Sequence, residues 1–246
     1  MADAVRARDV VSQVRRVGAD ALLVEFSDPA WVTALDAEVR ARWGVLSERT
    51  AAVQVGDVVP AARTLLLDRV GVEGVHDGEP GAAVVDRPAL GPDDVQRLIR
   101  ELSSWTLSQP QDRAGATVAV PVVFDGPDLE AVARMWDMAV PEAIATVVGC
   151  EFRVAFCGFS PGFAYLSCLP QGRAVPRRST PRTRVPAGAF GLAGEYAGLY
   201  PRSSPGGWQL LCTAVGVQLW DESRESPALL TPGTRVRVVH HEGESP

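Results

Sequence analysis

The chain has 246 residues, 46% of them hydrophobic and 22% charged, with 24 Arg against 30 Asp+Glu for a net charge of −6. That length suits one large domain or two small ones, and the composition is that of a soluble globular protein, which excludes disorder and collagen-like structure. The negative balance argues against nucleic acid or an anionic membrane as partner, and no apolar run approaches the roughly 20 residues needed to span a bilayer.

The opening Met1-Ala-Asp-Ala-Val-Arg-Ala-Arg8 has no hydrophobic signal core, so a cytoplasmic location is expected. Val10–Val17 and Ala21–Phe26 read as strands around the turn signal Gly18-Ala-Asp20. Asp28 and Pro29 then open an amphipathic helix that runs to about Trp43. Val53–Val59 and Thr64–Val70 predict a second pair of strands, followed by a Gly/Glu/Asp-rich loop from Gly71 to about Pro92. From Pro92, the positions Val95, Leu98, Ile99, Leu102 and Trp105 form one apolar stripe at helical spacing. Two helices can thus cover one face of a four-stranded sheet. The polar connector from Ser108 to Ala116 places the domain boundary: residues 1–112 form a small α+β domain and 113–240 a second domain, with 241–246 a polar tail.

The second domain begins with a strand at Thr117–Phe124 and a helix introduced by Gly126-Pro-Asp, with Leu129, Val132 and Trp136 inward. Pro141–Val148 gives a further helical turn or two, and Phe152–Cys157 a strand. From Gly158 to Gly207, 16 of 50 residues are Gly or Pro, a texture of short strands and tight turns that favours a mainly β domain built as a small closed barrel. Trp208–Leu211, Gly216–Trp220 and Thr234–Val239 supply its later strands.

The chain contains no lysine, which rules out a Schiff base to pyridoxal phosphate, biotinyl or lipoyl attachment, and a lysine-bearing phosphate loop. Any ATP or biotin chemistry must draw those parts from another chain. Cys150, Cys157, Cys168 and Cys212 match no zinc spacing and read as reduced thiols. His76 lies in a loop and His240-His241 in a polar tail, so no metal site is expected.

Gly158-Phe-Ser-Pro-Gly162 fits the G-x-S-x-G pattern of a hydrolase nucleophile elbow. It is rejected, because the residue after the serine must donate its backbone N–H to the oxyanion hole and Pro161 has none. A rigid turn displaying Phe159, Phe163 and Tyr165 is the preferred reading. Residues 173–202 hold six Arg and only Glu195. Within them, Pro176-Arg-Arg-Ser-Thr-Pro181-Arg-Thr-Arg-Val-Pro186-Ala-Gly188 stiffens Arg177, Arg178, Arg182 and Arg184 with three prolines. Guanidinium forks projecting from a pre-stiffened segment suit a carboxylates, a phosphate or an acidic partner surface. Pairing with the surplus acids of the first domain or with a second subunit is an equally good account. Further on, Tyr200, Trp208 and Gln209 could line a pocket, with Trp208 favoured as barrel core.

The segments GFSPGFAYL, PRRSTPRTRVPAG, GLAGEYAGLYP and SPGGWQLL together resemble the family known variously as the 5-oxoprolinase B subunit, allophanate hydrolase subunit 1 and the sporulation kinase inhibitor. The likeness is dense over residues 117–212 and weaker over VGADALLVEFSD and VVPAARTLLLD of the first domain. It implies a small α+β domain followed by a cyclophilin-like β-barrel. It also implies a homologous second barrel subunit and a third, lactam-hydrolase-like subunit that together open 5-oxoproline, a small cyclic amide, to glutamate with ATP. A histidine-kinase inhibitor, or a carboxyltransferase-type subunit of a biotin-dependent urea or amide carboxylase or of an allophanate hydrolase system, are the alternatives it carries. Matching positions assigned to substrate binding are Tyr165, Arg177, Arg182, Arg184, Tyr200 and Gln209. Phe159, Pro161, Gly162, Gly206, Gly207 and Trp208 match as structural motif residues, and no general base is assigned. The chain departs from the family pattern at Val147, where a histidine is frequent, at Ala189, usually serine, and at Cys212-Thr213-Ala214, usually Gly-Arg-Thr.

Overall fold

The computed structural model describes residues 4–45, 53–72, 90–108, 117–167 and 169–241. Most of the Gly71–Pro92 loop with His76, the connector 109–116, Cys168 and the tail beyond His241 lie outside the described residues. The chain divides into two compact units, Met1–Asp112 and Arg113–Pro246.

In the first unit, four antiparallel strands form a sheet in the order Val11–Val17, Ala21–Phe26, Thr64–Asp68, Asp57–Pro60. Period-two alternation sends Leu22, Val24, Phe26, Leu65 and Leu67 to one face, where they are buried. The helices Ala30–Arg42 and Pro92–Ser104 add Trp31, Leu35, Val39, Leu98 and Leu102 to the same core. The first of these helices is fastened by Asp28, whose carboxylate accepts the Ala30 N–H at 2.9 Å. Of the predicted stripe, Leu98, Leu102 and Trp105 are fully buried, whereas Val95 and Ile99 are half-buried at its margin.

The expected strand Val53–Val59 is two strands, Val53–Val55 and Asp57–Pro60. They part at Gly56, whose N–H turns to the Asp68 carbonyl at 2.9 Å and whose missing Cβ would lie 2.8 Å from Arg69 Cβ. Another pairing the sequence does not suggest joins Ala4–Arg6 antiparallel to Thr106–Ser108.

The second unit is a closed barrel of seven strands, in the order Thr117–Val123, Gln209–Ala214, Ala189–Ala193, Tyr196–Leu199, Ala164–Ser167, Glu151–Cys157 and Arg235–His240. Arg235–His240 closes it by pairing parallel with Thr117–Val123 and antiparallel with Glu151–Cys157. All other barrel pairs are antiparallel. The barrel interior and the helices Leu129–Met135 and Val140–Gly149 share one core that includes Val132, Trp136, Val147, Phe152, Phe190 and Val236. Trp136 and Arg173 lock this packing: the indole N–H donates to the Arg173 carbonyl at 2.9 Å, and the guanidinium returns a bond to the Trp136 carbonyl at 2.6 Å.

The Gly/Pro-rich stretch supplies three of the barrel strands. It also contributes a separate antiparallel ribbon of Arg182–Val185 against Ser204–Gly206. Gly216–Trp220 is not the strand expected: Gly216 takes a left-handed φ of 68°, and only an isolated bridge between Trp220 and Ala228 forms there. Leu219 and Leu230 instead anchor this segment in the core.

Candidate functional site

Asp128 organises the arginine-rich segment. Its carboxylate side chain is 5% exposed and accepts Arg182 Nη2 at 2.7 and 2.8 Å, Arg178 Nη1 at 3.0 Å and the Leu210 N–H at 2.7 Å. Four donor contacts on two oxygens satisfy a buried carboxylate fully. Backbone contacts fix the site from behind: the N–H groups of Gly126 and Asp128 donate to the carbonyls of Leu211 and Leu210, both at 3.0 Å. Any side chain at Gly126 would collide with the Leu211 backbone at 2.3 Å. The Gly126-Pro-Asp signal does introduce a helix at Leu129, but the Asp128 side chain makes no capping bond and turns to the arginines instead.

The sequence predicts four arginines projecting from the strip, and the structure corrects this. Arg178 and Arg182 fold inward, because Asp128 is a buried anion whose cost falls only when cations reach it. Arg184 is exposed and donates Nε to Ser203 Oγ at 3.1 Å. Arg177 is exposed and makes no ion pair among the described residues.

Beside the strip lies an aromatic cluster. Phe163 meets Tyr165, Tyr200 and Trp208 edge to face at 5.1, 5.3 and 5.4 Å. Trp208 is buried in this satellite core. Gly206 packs so closely on Tyr200 that a Cβ would sit 2.4 Å from the phenol oxygen. Burial pushes the Tyr165 and Tyr200 phenols above their ordinary range, and the Arg177 guanidinium opposes the shift at both. The Gly158–Gly162 turn presents Phe159, 62% exposed at a left-handed φ of 68°, against Phe163 at 5.3 Å. Gly162 also needs its left-handed φ of 81°, and a Cβ there would press on Trp220 at 2.9 Å.

An open cavity of about 270 Å³ is lined by Asp125, Gly126, Pro127, Arg182, Arg184, Pro186, Ala189, Leu210, Cys212 and Thr213. Thr213 donates its hydroxyl to Asp125 Oδ1 at 2.8 Å. Cys212 is a free thiol on the cavity wall, and burial, assisted by the Asp125 charge, holds it protonated well above its ordinary range.

Of the six residues assigned to substrate binding, Arg182 and Arg184 thus line the cavity, while Tyr165, Arg177 and Tyr200 gather at the aromatic cluster. Gln209 is buried and gives its amide N–H to the Pro176 carbonyl at 3.0 Å, which pins the start of the strip. Pro161 is exposed on its turn, and Gly207 receives the Arg178 N–H on its carbonyl at 2.8 Å. Three positions at which the chain departs from its family pattern, Ala189, Cys212 and Thr213, meet at the cavity wall. Val147 instead faces the barrel core, fully buried. Sequence reasoning missed Asp125 and Asp128. Two acids flanking Gly126-Pro127 were the available signal. Among the described residues no group of three or more His, Cys, Asp or Glu is placed to hold a metal ion, and no helix is long and apolar enough to cross a membrane.

Residues 12–230 match the family described as carboxyltransferase domain, subdomain C and D. The chain belongs to that carboxyltransferase-domain family. A curated relative, the 5-oxoprolinase B subunit of Escherichia coli O157:H7, is 38% identical over 154 residues, covering 61% of this chain and 69% of that protein. The crystal structure of TTHA0988 superposes over 95% of this chain with a TM-score of 0.64 and 31% identity, and the chain spans only 41% of that protein. K. lactis urea amidolyase, 16% identical, shares the fold with a TM-score of 0.68 over 93% of this chain and 15% of its own. This carboxyltransferase-domain chain therefore has the α+β unit and closed barrel that its sequence implied.

Proposed function

We propose that the chain is a non-autonomous subunit of a cytoplasmic, ATP-dependent 5-oxoprolinase-type complex that opens 5-oxoproline to glutamate. The observation that carries this reading is the 38% identity to a protein named as the B subunit of 5-oxoprolinase. The absence of lysine and of a phosphate loop of the lysine type agrees with a nucleotide site in another subunit. A cavity of about 270 Å³ suits a small metabolite better than a nucleotide.

A lactam carbonyl is a poor electrophile. Transfer of the ATP γ-phosphoryl group to its oxygen makes the ring carbon open to water. Water adds to that carbon and the C–N bond breaks, with a proton going to nitrogen, to leave an acyl phosphate that a second water hydrolyses to glutamate and phosphate. The part assigned to this chain is to hold the substrate carboxylate and the developing negative charge with preset cations. Arg184 supplies free guanidinium nitrogens at the cavity, and Arg182 is held rigid by Asp128. A homologous barrel subunit and a lactam-hydrolase-like subunit complete the machine.

Reconstitution tests this reading. Supplying the chain to a host that lacks its own homologue of it but retains the partner subunits should restore growth on 5-oxoproline. Soluble protein that co-purifies with the partners yet fails to restore ATP-dependent glutamate formation would overturn it.

A further inference from the structure

We infer that the cavity lined by Pro127 and Pro186 is a subsite for a small carboxylate that also carries an N–H group, with Arg184 as its cationic partner and Asp125 as its anionic acceptor. The inference deepens the proposed function by naming the substrate class this cavity selects, and it rests on that proposal only for the choice of 5-oxoproline as its guest.

Two opposite charges that line one hollow would ordinarily pair. Arg15, Arg40 and Arg42 do so with neighbouring acids. Arg184 and Asp125 make no ion pair among the described residues, and each is bonded to a neutral hydroxyl instead. Ser203 takes only the Nε–H of Arg184, leaving the two terminal nitrogens to grip a carboxylate with parallel hydrogen bonds. Thr213 occupies Oδ1 of Asp125, leaving Oδ2 to accept an N–H from a guest. The second cation at the cavity, Arg182, is spent on Asp128 and the Trp208 carbonyl. Arg178, Arg182 and Asp128 together carry a net +1, so they favour an anion in the cavity through their field.

Pro127, Leu210 and Ala189 give the cavity apolar walls for a short aliphatic body. A cyclic amide acid offers this set both groups from one carbon, a carboxylate for Arg184 and the neighbouring ring N–H for Asp125. A saturated ring acid without nitrogen leaves Asp125 unmatched, and a lactam without a carboxylate leaves Arg184 unmatched. Unmatched polar groups in a site built to bond them weaken binding far more than a lost methylene does.

The test is calorimetric titration of the full chain, alone and in the reconstituted complex, with 5-oxoproline, cyclopentanecarboxylate and 2-pyrrolidinone. 5-Oxoproline should bind at least about tenfold more tightly than either analogue. Arg184→Gln should weaken 5-oxoproline about tenfold or more. Asp125→Asn should erase the preference over cyclopentanecarboxylate, and Thr213→Val, which keeps every charge, should reduce it with the near-UV circular dichroism unchanged. Equal binding of 5-oxoproline and cyclopentanecarboxylate overturns the inference, as does absence of 5-oxoproline binding in both the chain and the complex. Should the complex hydrolyse 5-oxoproline while Arg184→Gln and Asp125→Asn leave its KM unchanged, the subsite fails and the proposed function stands. Should no hydrolysis occur while the binding preference holds, the proposed function fails and the subsite stands.

Discussion

Arg182 grips Asp128 across 54 residues of chain, its Nη2 lying 2.7 Å from one carboxylate oxygen and 2.8 Å from the other. Because the same carboxylate accepts the Leu210 N–H, one buried anion ties the entry of a helix, the arginine strip and a barrel strand to each other. Asp128→Asn keeps the shape and removes the charge, leaving two guanidinium groups without their partner. A loss of roughly 3 kcal/mol is expected, the low end for breaking a buried pair because Arg178 is partly exposed. Arg182→Lys keeps the charge and loses the fork, with an expected loss of about 1–2 kcal/mol. Urea unfolding followed by tryptophan fluorescence reads both. An unchanged midpoint in Asp128→Asn would show that the contact holds nothing together.

Gly206 leaves no room above Tyr200. Gly206→Ala places a methyl 2.4 Å from the phenol oxygen and 3.0 Å from Cζ, and the ring cannot swing away because Phe163 and Trp208 pack on it. Overpacking of this kind costs about 1–3 kcal/mol. Adding Tyr200→Phe should recover part of the loss, since it removes the nearer clash and leaves the farther one. Thermal melts of the two single variants and the double variant close the cycle.

The backbone at Phe159 sits in a region that only glycine enters freely, at φ 68°. Phe159→Ala keeps that strain and loses the ring contact with Phe163, whereas Phe159→Gly loses the ring and relieves the strain. The glycine variant should therefore be the more stable of the two by about 1 kcal/mol. Equal melting temperatures would mean that the left-handed turn stores no strain.

Alkaline pH should loosen the barrel unit. Burial raises the Cys157 and Cys212 thiols above their ordinary value of 9.0, and it raises the Tyr165 and Tyr200 phenols above 10.0. The folded chain keeps protons that the unfolded chain has already released, so stability falls as pH rises, first through the thiols and then through the phenols. Denaturant midpoints at pH 8 and pH 10.5 measure the loss. In the native protein at least two of the three tyrosines should ionise above the range of free tyrosine, followed as tyrosinate absorbance.

Local pattern carried the helices and the barrel texture. The stripe ending at Trp105 marked a helix because period 3.6 is a property of adjacent turns, and Trp208, expected in the barrel core, is buried in the satellite cluster with Phe163 and Tyr200 instead. Partnership across long separations was not legible. Nothing near Asp128 distinguishes a capping carboxylate from one that meets Arg182, since the same short acid suits both and only the barrel topology chooses. Gly56 was hidden for a similar reason: the valine-rich segment Val53-Gln-Val-Gly-Asp-Val-Val59 reads as one strand until the approach of Arg69 shows where it must part. The cavity was half visible, with its arginines evident from their proline bracing. The contact between Asp125 and Thr213 was invisible, as they lie 88 residues apart and meet only across the barrel pairing.

The parallel pairing of Thr117 with Arg235 also sets a schedule for biosynthesis. More than a hundred residues must leave the ribosome before the first barrel strand meets its last neighbour. Until then, one edge each of Thr117–Val123 and Glu151–Cys157 stays without a partner, and open edges invite pairing with other chains. The barrel's two open edges are therefore covered together, by the arrival of the single segment 235–240.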